Sequence, residues 1–96
     1  PDPDTLTAIL GRAHARGWRI ATAESCTGGM VAAALTDLPG SSLVFDRGYV
    51  TYSNDAKTAM LGVRPATLDD TAGVDAAGAR HIATGSRTAA GPEVAV

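Results

Sequence analysis

Apolar positions along this chain of 96 residues recur first at helical spacing, then as a short continuous run, then at helical spacing again. Leu6, Ile9, Leu10 and Ala13 give a first helix its buried face. The Asp2-Pro3 pair suits its start, a cap followed by a residue whose fixed φ fits the first turn, and Gly17 stops it. Trp18, Ile20, Ala21 and Ala23 read as a buried strand. Val31, Ala34, Leu35 and Leu38 then mark one face of a second helix, which ends before Pro39-Gly40. Ser41 to Asp46 carries no clear period. Gly48 to Ser53, with Tyr49, Val50, Thr51 and Tyr52, has the β-branched and aromatic content of a strand. Ser53-Asn54-Asp55 supplies cap chemistry for a short helix, Asn54 to Leu61, stopped by Gly62. Arg64 to Gly73 reads as a connection. Asp75 to Ala90 reads as a helix weakened by Gly78 and Gly85, each about 1 kcal/mol worse than alanine in a helix interior. Gly91-Pro92 ends it, and Glu93 to Val96 begins a strand.

Helices alternating with strands predict an α/β domain, a sheet covered by helices on both faces. The length suits one domain, residues 1–96. Pro1 stands where an initiator methionine is expected and the chain stops in an apolar run, so a longer parent is expected. Eight basic against ten acidic residues leave a net charge of −2, which provides no general attraction to nucleic acid or anionic lipid. No long apolar run or leader pattern is visible, which makes the cytoplasm the expected compartment. The single cysteine, Cys26, agrees with a reducing environment.

Candidate chemistry gathers at Ala21-Thr-Ala-Glu-Ser-Cys-Thr-Gly-Gly29, where the first strand passes into the second helix. Ser25 fits two tasks there: a helix N-cap, or a nucleophile held beside backbone N–H groups that stabilise an oxyanion. Position 28 is glycine rather than Glu or Gln, so there is no capping box. The turn is not a Gly-x-Ser-x-Gly elbow either. Gly28-Gly29 lets a ligand approach the backbone, yet the Walker and dinucleotide fingerprints are absent.

Lys57 stands out because the other seven cations are all arginine. A lysine can give up its proton where arginine cannot, and the start of a helix disfavours an ammonium. One stray lysine is the plainer explanation. Tyr52 precedes that helix and either brings a phenol near Lys57 or simply closes a strand. Together Ser25, Tyr52 and Lys57 suggest a serine nucleophile with a lysine or tyrosine base. Cys26 has no histidine beside it and reads as a small core residue. His14 and His81 lack partners at ligand spacing, so no metal is expected. Arg12, Arg16 and Arg19 read as a solvated face, and Asp69-Asp70 as a solvated turn.

The Ala21–Gly29 stretch resembles the CinA C-terminal domain family, the nicotinamide mononucleotide deamidases. So do Leu35-Thr-Asp-Leu-Pro-Gly-Ser-Ser42, Val50-Thr-Tyr-Ser-Asn-Asp-Ala-Lys57, Leu61-Gly-Val63 and Thr67-Leu68. The resemblance implies a three-layer α/β/α sandwich, a homodimer, and hydrolysis of the carboxamide of nicotinamide mononucleotide, a pyridine nucleotide, without a cofactor. It places the nucleophile at Ser25, with Tyr52 and Lys57 assisting. It places substrate contacts at Glu24, Cys26, Thr27, Gly28, Gly29, Ser41, Ser42 and Asn54. This chain departs from the pattern over Thr67-Leu-Asp-Asp-Thr-Ala-Gly-Val-Asp75. It also stops before the family's threonine-glycine-isoleucine-alanine-glycine-proline loop and later glycine-rich segment, so a sheet incomplete at its C-terminal end is expected. A catalytically silent remnant or nucleotide-binding module is the second reading, and an unrelated phosphate-binding α/β domain the third.

Overall fold

A computed structural model describes residues 2–68, 76–91 and 93–96. Helix α1 (Pro3–Ala15) starts at Asp2, whose carboxylate accepts from the Asp4 N–H at 3.2 Å and the Thr5 hydroxyl at 2.8 Å. Strand β1 (Ile20–Glu24), helix α2 (Met30–Thr36), a 3-10 turn at Ser41–Leu43 and strand β2 (Phe45–Val50) follow. Then come α3 (Asn54–Leu61), the single turn α4 (Pro65–Leu68), α5 (Ala76–Ala90) and β3 (Val94–Ala95). The sheet is parallel in the order β2-β1-β3, so β1 lies in the middle and the path from β2 to β3 crosses back over it.

Successive side chains of a strand point to opposite faces, and β1 shows what each face meets. Ile20 packs with Leu10, Ala13, Leu35 and Val44, which brings α1 and α2 onto one face. Ala23 packs against Leu61, Val63, Leu68 and Ile82, which brings α3, α4 and α5 onto the other. This is the expected three-layer α/β/α arrangement, as a partial domain.

Local expectations hold where short-range chemistry decides and fail where packing does. Asn54–Leu61 is a helix as expected, with Ser53 as its N-cap accepting from the Ala56 N–H at 3.0 Å. Trp18 is not part of the strand. Its N–H still donates to Ala13 at the exit of α1, and its half-exposed ring lies 5.4 Å from the Arg16 guanidinium carbon. Ile9 is exposed, because the stripe of α1 that meets the sheet runs through Leu6, Leu10 and Ala13. Strand β2 starts at Phe45 and ends at Val50, earlier than the sequence suggests at both ends. The stretch Arg64 to Gly73 contains α4, and Asp69-Asp70 lies outside the described residues. Arg12 and Arg16 are solvated, whereas Arg19 ties the amino ends of the strands together. Its N–H donates to Glu93 at 2.7 Å, its guanidinium donates to the Gly91 carbonyl at 3.1 Å, and Asp46 lies 3.8 Å away.

Gly85 is a packing requirement rather than a weakness of α5. A methyl group there would collide with the Leu61 carbonyl oxygen and lie 2.8 Å and 2.9 Å from the Leu61 carbonyl carbon and Cβ. The missing side chain lets α5 rest directly on the end of α3. Gly85→Ala is therefore expected to cost at least ~2 kcal/mol through overpacking. Gly11→Ala, on α1 with nothing within 4 Å of the added carbon, is expected to be neutral or to stabilise by up to ~1 kcal/mol. Urea unfolding of both variants checks the pair.

Candidate active site

The connection leaving β1 enters α2 on one face of the sheet, and the connection leaving β2 passes through α3 on the other. Two adjacent parallel strands whose exits part in this way open a crevice at their carboxyl ends, the usual ligand position in open α/β sheets. Ser25 follows β1 at that edge, and Thr51-Tyr52-Ser53 follows β2. The two segments are stitched together: the Thr51 N–H donates to the Glu24 carbonyl at 2.8 Å, and the Thr51 hydroxyl donates to the same oxygen at 3.4 Å.

From Ser25 the chain makes two successive turns, with Gly28 N–H donating to the Ser25 carbonyl and Met30 N–H to that of Thr27, each at 3.0 Å. Both need left-handed backbone, φ +60° at Gly28 and +108° at Gly29, which a side chain would strain. Gly29 is the N-cap of α2 and has no side chain with which to cap. Ser25 is thus not the cap.

Glu24 does the capping instead. One carboxylate oxygen accepts from the N–H groups of Gly29 at 3.2 Å and Val31 at 2.8 Å, the other from Ala32 at 3.0 Å. The residue is 4% exposed. Burial by itself would raise its pKa, but the N–H groups of Val31 and Ala32, the Thr27 hydroxyl and the Gly29 N–H together outweigh it and hold the carboxyl below its ordinary 4.5. The negative charge expected at the amino end of α2 is therefore the protein's own. The Cys26 and Thr27 N–H groups make no hydrogen bond to described residues, and neither does the Ser25 hydroxyl. Cys26 is exposed, not in the core, because the double turn carries its side chain outward.

Lys57 sits one turn into α3 on the same face as Leu61 and is only 2% exposed. Tyr52, between β2 and α3, is 74% exposed. Asn54 is exposed at the start of α3, beside a cavity of about 300 Å³ that Asp55, Thr58, Ala59, Pro65 and Leu68 also line. The carboxyl edge thus gathers Glu24, Ser25, Cys26, Thr27, Gly28, Gly29, Tyr52 and the first turn of α3. It does not gather Ser41 and Ser42. Helix α2 runs back along β1, and the five residues of β1 separate the two edges by about 16 Å. Ser41 is buried there and donates to the Thr36 carbonyl at 3.3 Å. Nor are the histidines part of the edge chemistry: His14 lies exposed on α1, and His81 Nδ1 meets the Thr67 hydroxyl at 3.1 Å.

Sequence reasoning missed Thr51 as the stitch between the two segments and the capping task of Glu24. The second had a signal: a glutamate directly before a turn whose helix begins on glycine, which cannot cap itself.

The architecture is that of a parallel α/β domain with a serine-bearing turn at the carboxyl edge of its central strand. Residues 4–96 match the CinA C-terminal domain, and the chain belongs to that family. It is 51% identical over 92 residues to the nicotinamide-nucleotide amidohydrolase PncC of Enterobacter agglomerans, a match covering 95% of this chain and 56% of that protein. It is 50% identical over 92 residues to PncC of Escherichia coli K12, with the same two shares covered. Among solved structures, a CinA superfamily protein from Escherichia coli superposes with a TM-score of 0.90 at 34% identity, over 98% of this chain and 55% of that one. The competence damage-inducible protein A of Klebsiella pneumoniae gives 0.87 at 41% identity, over 99% and 60%. The chain spans about half the length of the curated amidohydrolases it matches. No helix of the described residues is long and apolar enough to cross a membrane.

The Glu24 cap carries a pH signature. A carboxyl whose folded pKa is depressed contributes stability that is fully present above its unfolded pKa and is lost as pH falls through the folded value. Wild type is expected to exceed Glu24→Gln in unfolding free energy by about 1.5–3 kcal/mol at pH 7, the range for hydrogen bonds to a charged group. The gap is expected to close progressively below pH 4.5. Denaturant melts at a series of pH values measure it.

Proposed function

We propose that this protein hydrolyses the carboxamide of nicotinamide mononucleotide to nicotinic acid mononucleotide and ammonia, with Ser25 as nucleophile and Lys57, assisted by Tyr52, as base. The observation that carries the reading is the bond from Thr51 to Glu24, because it holds the Ser25 turn against the segment that leads into α3. A helix side chain leans toward the helix's amino end, and for Lys57 that end adjoins the crevice. The names of the amidohydrolase relatives support the substrate class.

In this mechanism the Ser25 hydroxyl loses its proton to Lys57, through the Tyr52 phenol once that side chain rotates in from solvent, and its oxygen attacks the amide carbon. The carbonyl oxygen takes up negative charge and is received by the Cys26 and Thr27 N–H groups. Lys57 returns the proton to the departing nitrogen, ammonia leaves, and an ester to Ser25 remains. Water, deprotonated by the same base, attacks that ester and releases the acid and the free serine. The same reading takes the protein to act as a homodimer, with the pyridine nucleotide as its small-molecule partner.

Ammonia and nicotinic acid mononucleotide released from nicotinamide mononucleotide by the full-length protein test the proposal. Ser25→Ala is expected to lower turnover by at least ~10³-fold with an unchanged circular dichroism spectrum. Lys57→Arg is expected to lose turnover as well, since a guanidinium does not act as a base. Retained turnover in that variant would reduce Lys57 to a fixed charge. Binding of the nucleotide by wild type without turnover would favour a silent binding module.

A further inference from the structure

We propose that Glu24 is a positioning residue: it does not touch the substrate but sets the direction of the Cys26 and Thr27 N–H groups that receive the amide oxygen. The inference rests on the reading of Ser25 as nucleophile and deepens it.

A carboxylate offers about four acceptor positions, and three of those of Glu24 are taken by the N–H groups of Gly29, Val31 and Ala32. With 4% of its surface exposed, it offers a ligand almost no access. Those bonds act on both ends of the turn. The side chain fixes where α2 begins, while the main-chain carbonyl of the same residue is held by Thr51. Residues 25 to 28 are therefore strung between two anchors that belong to one amino acid. Gly28 N–H closes inward on Ser25, which leaves the N–H groups of Ser25, Cys26 and Thr27 as the turn's donors without a bond to described residues. A free array of N–H groups would accept an anion anywhere along it. With Glu24 occupying the helical part, the uncommitted donors are reduced to the three at positions 25 to 27, of which those of Cys26 and Thr27 follow the Ser25 side chain into the turn.

Glu24→Gln tests this, because the variant keeps shape and one acceptor but turns an NH2 group toward N–H donors. In the full-length protein, kcat for nicotinamide mononucleotide is expected to fall by ~10²-fold or more, the usual consequence of a displaced oxyanion donor, with KM changed less than about threefold. The alkylation rate of the exposed Cys26 thiol by iodoacetamide, followed by mass spectrometry at that residue, and the amide resonances of Cys26 and Thr27 are expected to change while the protein remains folded. A kcat within twofold of wild type overturns the proposal, and so does a rise in KM at unchanged kcat, which would make Glu24 a substrate contact. If Glu24→Gln does not fold, Glu24→Asp decides by the same kcat and KM criteria, with a fall of at least ~10-fold in kcat expected. If wild type has no activity on the nucleotide, the proposed function fails. The positioning claim is then judged on Cys26 alkylation and the two amide resonances alone, and it is overturned if they match wild type in the variant.

Discussion

The hydrogen bonds made by Glu24 are the constraint on which the carboxyl edge depends. Its carbonyl receives Thr51 and its carboxylate receives the start of α2, so one residue at the end of the central strand holds the exits of two strands. Placing a carboxylate at 4% exposure is costly unless its lone pairs are filled. Here three backbone N–H groups that would otherwise be orphaned at the start of a helix bond to it. Each half of the arrangement satisfies the other's unpaired polar groups.

That economy also explains a reversal of expectation about the amino end of α2. A helix start normally invites a negative ligand, and the junction looks at first like such a place. With a carboxylate already seated there, the N–H groups left without a bond to described residues are those of the turn that precedes the helix. The crevice itself follows from topology, since exits that leave a parallel sheet on opposite faces cannot close over the gap between their strands. The same economy of space operates beneath the edge, where Gly85 lets α5 lie on the backbone of Leu61 and gives the α3 layer its close fit.

Much of this was legible before any coordinates. The Asp2 and Ser53 caps, the limits of α3, the helix–strand order and the turn at Ser25 follow from bonds between residues a few positions apart. The selection of Ser25 and Lys57 as unusual also needed only the chain's own bias: one lysine among eight cations, and one serine at the strand-to-helix junction. Less legible were the exposures of Ile9, Trp18 and Cys26. An apolar residue near a helix or strand is buried only if its direction meets a neighbouring element, and direction is settled by how α1 sits on the sheet and how the glycine turn swings.

What the sequence by itself determined, then, is the set of elements, their caps and stops, and the residue types brought to the junction, because these rest on backbone preferences and short-range hydrogen bonds. Only the tertiary structure decided that Glu24 rather than Ser25 caps α2, that Thr51 joins the two strand exits, and that Ser41 and Ser42 lie at the far edge of the sheet. The physical reason is distance along the chain. Thr51 meets a carbonyl 27 residues away, and no local pattern encodes such a meeting until parallel strands bring the two positions side by side.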